Sequence, residues 1–213
     1  MWNDLNEIWK EAFSLAWESY RRNSIPIGAV IVDSQGNIVS RGRNRIFDGE
    51  SQNPLAGTDM AHAEMTAMLN LKLDEHPEVR SYCMYTTMEP CPMCFGTMVM
   101  NSIRNIKFAD RDGYAGATEL NEKSRYIKNK GISITKADDE METFQIVLQT
   151  AFEYKRNNSG SEVVLDKWRE YCNIGVNLGK QLNEEGYFEN AAAQGKNISV
   201  IYDEVISYIG HRD

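Results

Sequence analysis

The sequence predicts an α/β fold, a three-layer α/β/α sandwich around a mixed central sheet with helices added at the C-terminal end. Three observations predict it: an amphipathic helix running into a hairpin, strands that then alternate with helices, and a purely helical last quarter. Residues 2 to 22 set Leu5, Ile8, Trp9, Ala12, Phe13, Ala16, Trp17 and Tyr20 at three- and four-residue steps, the period of a helix with one buried stripe. Asn23 and Pro26 end it. Ile27 to Val32 and Ile38 to Arg41 then flank Asp-Ser-Gln-Gly-Asn, which reads as strand, turn and returning strand.

Residues 47 to 59 are rich in Gly, Asn, Asp and Pro and lack periodicity, so they form a long loop. Thr58 or Asp59 is suited to cap a helix running to about Lys72, with Met65, Met68 and Leu69 inward. Residues 81 to 88 read as a strand that stops at Pro90, and Pro92 starts a helix through Met93, Phe95, Met98 and Val99. Further strands are expected at 103 to 109 and 132 to 135, and a helix from Asp138 to about Arg156 with Phe144, Val147, Leu148, Ala151 and Phe152 inside. Helices at about 161 to 184 and 198 to 210 complete the chain, joined by a link containing Gly and Asn. Residues 1–157 thus form the main domain and 158–213 a helical extension too small for a core of its own.

Composition narrows the function. With 23 Lys and Arg against 31 Asp and Glu, the net charge of −8 argues against a protein that lives by gripping nucleic acid phosphates. No apolar run approaches the ~20 residues of a membrane span. Asp4, Glu7, Lys10 and Glu11 interrupt the stretch a signal peptide needs, so a cytoplasmic location is expected. Cys83, Cys91, Cys94 and Cys172 are too few for a disulfide framework, and a Cys-x-x-Cys pair in a reducing compartment points to metal or redox chemistry.

His62-Ala63-Glu64 opens one expected helix and Pro90-Cys91-Pro92-Met93-Cys94 opens another. Cysteines three apart share a helix face, and the positive end of the helix dipole favours the metal-binding thiolate. Residues two apart on a helix are rotated by ~200°, so His62 and Glu64 approach one centre only at a helix end. One imidazole and two sulfurs leave a fourth tetrahedral position for water, the layout of a catalytic zinc site. Glu64 is then a free carboxylate beside that water, suited to taking its proton and returning it to a leaving group. Chance co-occurrence of the two patterns is about one in a thousand or less.

These residues resemble the cytidine deaminase-like superfamily of zinc-dependent nucleobase and nucleoside deaminases. Ala61-His-Ala-Glu64, Thr86-Thr-Met-Glu-Pro-Cys-Pro-Met-Cys94 and Phe108-Ala-Asp-Arg-Asp112 are most similar to the branch that holds bacterial tRNA-specific adenosine deaminases and guanine deaminases. Ile25 to Val32 and Gly42-Arg-Asn-Arg45 fit as well, and the resemblance spans about residues 5 to 156. It implies one Zn²⁺ per chain held by His62, Cys91 and Cys94, proton shuttling by Glu64, substrate contacts at Asn44 and Ala63, and a homodimer. The implied reaction adds activated water to the ring carbon bearing an exocyclic amine and releases ammonia.

Two departures bear on the substrate. The stretch after Arg111-Asp112 lacks the Lys-Thr-Gly of the tRNA enzymes, and 17 residues separate Asn44 from His62, a longer lid than is usual there. Together with the acidic chain they favour a free nucleobase or nucleoside, a purine such as guanine or adenine over cytosine, with tRNA adenosine deamination as the alternative. A second alternative is a non-catalytic, zinc-stabilised binding module in which Cys83 or His76 closes the coordination shell. Cys83 is expected down the strand in the core and His76 in an exposed acidic loop. An Asn at position 44 also suits a turn, Glu89 suits bracing of the loop before Cys91, and Met93, Met98 and Met100 suit helix packing.

Overall fold

The Asn6 side chain accepts a hydrogen bond from the Trp9 amide at 3.0 Å and so starts helix α1 (Glu7–Arg21), whose apolar stripe lies against the sheet. The computed structural model describes residues 1–49, 51–72 and 74–210 of the 213. Glu50, in the loop expected at 47 to 59, and the last three residues of the extension lie outside the described residues. The strands are β1 (Gly28–Val32), β2 (Ile38–Arg43), β3 (Cys83–Met88), β4 (Asn105–Asp110) and β5 (Ser133–Lys136), in the order β2-β1-β3-β4-β5. β1 is antiparallel to β2 and β3, whereas β3, β4 and β5 run parallel, which makes the sheet mixed.

Alternation along β1 builds the layers. Val30 and Val32 face Trp9, Phe13 and Trp17 of α1 and Phe144 and Leu148 of α6 (Asp139–Arg156). Ala29 and Ile31 face α2 (Ala63–Leu69) and α3 (Pro92–Met100) on the other side. The hairpin lies very close to α2: a Cβ at Gly42 would sit 2.1 Å from the Ala63 carbonyl oxygen, so only glycine lets β2 reach that helix. Short helices α4 (Leu120–Lys123) and α5 (Arg125–Lys128) lie between β4 and β5. Among the described residues, no helix is long and apolar enough to cross a membrane.

α6 has Asp138 as its cap, acceptor to the Met141 amide at 3.0 Å, with acidic residues in its first turn and Lys155 and Arg156 in its last. Asn157, with φ of 47°, turns the chain into α7 (Ser161–Glu184), followed by α8 (Tyr187–Ala193) and α9 (Ile198–Gly210). α8 occupies what the sequence suggested was only a link. The apolar residues of the extension join the cores of residues 1–157: Leu178, Phe188, Ile201 and Tyr202 pack with Phe13 and Phe144, and Leu165 and Trp168 pack with Met88 and Ile146. A Cβ at Gly179 would lie 2.6 Å from the Val147 carbonyl oxygen, so α7 rests almost directly on the α6 backbone. Trp9 and Trp17 are core residues, and Trp2 lies edge-on to Tyr202 at 5.7 Å.

Several expectations need correction. The helix at 63 begins later than Thr58 or Asp59 and ends before Lys72, because the Arg45 amide pairs with the Ala61 carbonyl at 2.8 Å and holds the preceding residues out of helical geometry. Thr58 Oγ1 closes a loop turn onto Leu55 instead. Leu69 is 45% exposed rather than inward, one helical step (about 100°) round from the buried Met68. Met100 is 69% exposed, while Met98 packs as expected. Cys83 is half-buried at the start of β3, and His76 is half-buried rather than exposed, its Nδ1 3.1 Å from the Tyr82 hydroxyl.

Asp110, at the end of β4, is fully buried with both carboxyl oxygens unpartnered. Burial, and then the charge of nearby Glu142, push its pKa well above the carboxylate range. A raised folded-state pKa stabilises below the unfolded value near 4, and that contribution is lost as pH rises toward the folded value. Asp110→Asn is therefore expected to remove a decline in stability of up to about 1.4 kcal/mol per pH unit above pH ~4. Denaturant titrations of both proteins from pH 4 to 8 measure this, and parallel curves would refute it.

Candidate active site

Two helix N-termini meet at the C-terminal ends of the parallel strands. His62 is the residue that caps α2, held extended at φ −64° and ψ 156°, and Cys91 takes the same place on α3, with Pro92 in its first turn. Cys94, one turn in, is fully buried. The donor atoms of His62, Cys91 and Cys94 all lie within 4.8 Å of one another. His62 Nδ1 is 3.7 Å from Cys91 Sγ and 3.5 Å from Cys94 Sγ. Zn–S bonds of ~2.3 Å and Zn–N bonds of ~2.05 Å at a tetrahedral angle place N and S about 3.6 Å apart. The three side chains therefore already stand at the spacing of ligands on one zinc ion, and their donor set is the one zinc prefers.

Electrostatics agree. Hydrogen bonding with Cys94, and then with His62, pulls the Cys91 thiol down to about 4 against the effect of burial. The hydrogen bond with Cys91, followed by burial, raises Cys94, so the two sulfurs divide one proton unequally. Burial favours neutral His62, but the Cys91 hydrogen bond and the charge of Glu64 outweigh it, and its pKa is raised. Among the described residues no other His, Cys, Asp or Glu joins the cluster. Cys83 sits at the far end of β3, and His76 pairs with Tyr82, so neither proposed fourth ligand is at hand.

Glu64 lies on the first turn of α2, 3% exposed, with Oε2 3.4 Å from Cys94 Sγ. Burial raises its pKa. It lines a cavity of about 190 Å³ together with His62 and Cys91. That volume is below the ~300–1,000 Å³ of sites for drug-sized ligands and suits a single small ring system.

The walls of the cavity were not legible beforehand. α7 supplies Val164 and Trp168, and α6 supplies Gln149 and Glu153. Trp168 is pinned by its Nε1, which donates to Asp112 Oδ1 at 3.3 Å, and the Tyr171 hydroxyl donates to the Arg111 carbonyl, so α7 grips the 111–116 loop. Among the described residues, the loop between Asn44 and His62, expected to be the lid, supplies none of the lining before His62 itself. Arg43 draws it away by a 2.6 Å ion pair with Asp48, and Arg156 stacks over Phe47 at 4.7 Å. The only sequence hint of the α6 wall is the four-residue spacing of Gln145, Gln149 and Glu153 beside the apolar stripe.

Asn44 and Ala63 are fully buried near the centre, but neither lines the cavity. Asn44 Oδ1 accepts from Ser24 Oγ at 2.8 Å and the Ile46 amide at 3.1 Å, while its Nδ2 is buried without a partner. Glu89 braces the chain as expected: it accepts from the Asp112 amide at 3.2 Å and from the Thr118 amide and hydroxyl.

A family model, the cytidine and deoxycytidylate deaminase zinc-binding region, matches residues 3–110. The chain belongs to this deaminase family. A tRNA-specific adenosine deaminase of Haemophilus influenzae is 30% identical over 112 residues, covering 52% of this chain and 61% of that protein. Among solved structures, a tRNA:A34 deaminase is 25% identical with a TM-score of 0.51, covering 61% of this chain and 91% of the other. A guanine deaminase from Nitrosomonas europaea shares the fold, with 18% identity, a TM-score of 0.50, and coverage of 66% and 80%. The chain spans less than two thirds of the length of the first curated relatives it matches, 17% and 61%. The matched residues 3–110 hold β1 to β4 and the zinc-ligand cluster, and α4, α5, β5 and α6 to α9 lie beyond the matched region.

Proposed function

We propose that this deaminase-family chain hydrolytically deaminates a free nucleobase or nucleoside, a purine in preference to cytosine, with residues 1–157 as the catalytic domain and 158–213 as an extension that roofs the site. The observation that carries the choice of a small substrate is the position of Trp168, which reduces the space beside Glu64 and His62 to about 190 Å³. A nucleotide splayed from an anticodon loop needs an open path for the strands on either side of it. The net negative charge, −8 overall, points the same way.

His62, Cys91 and Cys94 would hold the zinc ion. When bound, zinc supplies Lewis-acid activation of a water molecule. Glu64 would carry two protons in turn: one from the attacking water to the ring nitrogen beside the reacting carbon, and a second from the hydroxyl thereby left on that carbon to the departing amine, which leaves as ammonia. Its burial favours the protonated form it must adopt halfway through the cycle. Trp168 and Val164 exclude bulk water and hold the ring against the cavity floor. Asn44 has a buried, unspent amide donor but does not line the cavity, so its contact with substrate is the least supported part of this reading.

Adenosine deamination in tRNA is the second reading, favoured by the 30% identity to the Haemophilus enzyme. An ammonia-release screen of free bases, nucleosides and an anticodon stem-loop separates the two. Turnover of at least one free base or nucleoside is expected. Turnover of the stem-loop with none of the small compounds would overturn the proposal.

A further inference from the structure

Each polar side chain of the cavity outside the zinc cluster and Glu64 can be asked whether its hydrogen-bonding capacity is already used. Glu89 is held by Thr118 and Asp112. Asp112 accepts from Trp168 Nε1 and the Tyr114 and Ala115 amides. Glu153 accepts from Ser161 Oγ at 2.8 Å and lies 3.6 Å from Arg156. Gln149 differs. It lines the cavity on α6, is 4% exposed, and its Oε1 is buried with no hydrogen-bond partner.

A buried amide oxygen without a partner costs roughly 1–3 kcal/mol, so its presence in a pocket wall calls for a ligand group that satisfies it. The apolar neighbours, Met88, Val164 and Trp168, offer nothing to bond it. A primary amide displays an acceptor beside a donor, and its complement on a heterocycle is an N–H beside a C=O, a lactam edge. Water cannot supply that paired geometry with selectivity, whereas a ring held under Trp168 can.

We propose that Gln149 is a specificity-determining residue that reads the lactam edge of the substrate, so that the preferred substrate is an aminated ring carrying an N–H next to a carbonyl. This inference rests on the reading of the chain as a deaminase of small bases. Gln149 acts by pairing its Oε1 with the ring N–H and its Nε2 with the adjacent carbonyl oxygen. The reacting amine then faces the zinc cluster and Glu64. A base with the same amine but no lactam leaves the amide unpaired and binds less well.

The test compares guanine with 2-aminopurine, which keeps the amine and lacks the lactam. Ammonia release is measured for zinc-loaded wild type, Gln149→Leu and Gln149→Glu, with zinc content and thermal midpoint determined for each. Wild type is expected to prefer guanine. Gln149→Leu is expected to raise KM for guanine about tenfold with kcat within about threefold, and to lose the same factor of preference over 2-aminopurine. Gln149→Glu, which keeps the acceptor for the ring N–H but loses the donor to the carbonyl, is expected to retain only part of the preference. A purely structural role would shift the thermal midpoint and leave the substrate ratio alone. Unchanged preference in Gln149→Leu, or none in wild type, overturns the assignment while leaving small-base deamination intact. Absence of turnover of every free base and nucleoside by wild type overturns both.

Discussion

Glu64→Gln is expected to keep a full complement of zinc and to lose about 10²–10⁴-fold in kcat. The substitution retains the size of a side chain that is 3% exposed and removes only its capacity to carry a proton. Glu64 is not within the cluster of mutually close ligand atoms, so metal content has no reason to fall. Elemental analysis and steady-state ammonia release on the same preparation check both halves. A variant with kcat within threefold of wild type would show that some other group moves the proton, and a zinc-free variant would show that Glu64 is a ligand.

Removal of the metal is expected to act on the fold as well as on the chemistry. His62, Cys91 and Cys94 tie the starts of α2 and α3 to one point, and the Cys94 sulfur is fully buried. A ligand present at 1,000 times its Kd stabilises by about 4.1 kcal/mol, and for a chain of this size each kcal/mol is worth ~2–4 °C in Tm. Chelation, or Cys91→Ala, is therefore expected to lower Tm by roughly 8–16 °C and to abolish turnover. Differential scanning calorimetry with and without added zinc measures the shift. Cys91→Ala with stoichiometric zinc and an unaltered Tm would remove Cys91 from the ligand set.

The metal-centre residues were legible because their chemistry is local. Cys91 and Cys94 are one turn apart on α3, and His62 and Glu64 straddle the first residue of α2, so spacing alone places each pair at a helix start. The short apolar run of Ile27 to Val32 bounded by turn residues and the three- and four-residue pattern of α1 and α6 were equally direct. Less was legible where polar and apolar signals compete. The sequence marked Thr58 and Asp59 as caps, but the strand-like bond from Arg45 to Ala61 delays α2 to Ala63. Leu69 and Met100 carry an apolar side chain at the end of a helix and face solvent there.

The walls of the pocket show the same limit more sharply. Seventeen residues between Asn44 and His62 suggested a lid, yet the buried Arg43 guanidinium binds Asp48 at 2.6 Å and keeps that loop off the site. Trp168, in a helical extension whose role the sequence left open, lines the cavity. Gln149 reads from the chain as one polar residue in an amphipathic helix.

The order of residues by itself determined the zinc-binding chemistry and the layered α/β scheme, because ligand type, helix caps and side-chain period act over one to four residues. Tertiary structure alone decided the size of the pocket and which residues wall it, because both depend on α7 folding back over α6 onto Met88 at the end of β3. That contact joins residues far apart in the chain, and no local pattern encodes the direction from which it arrives.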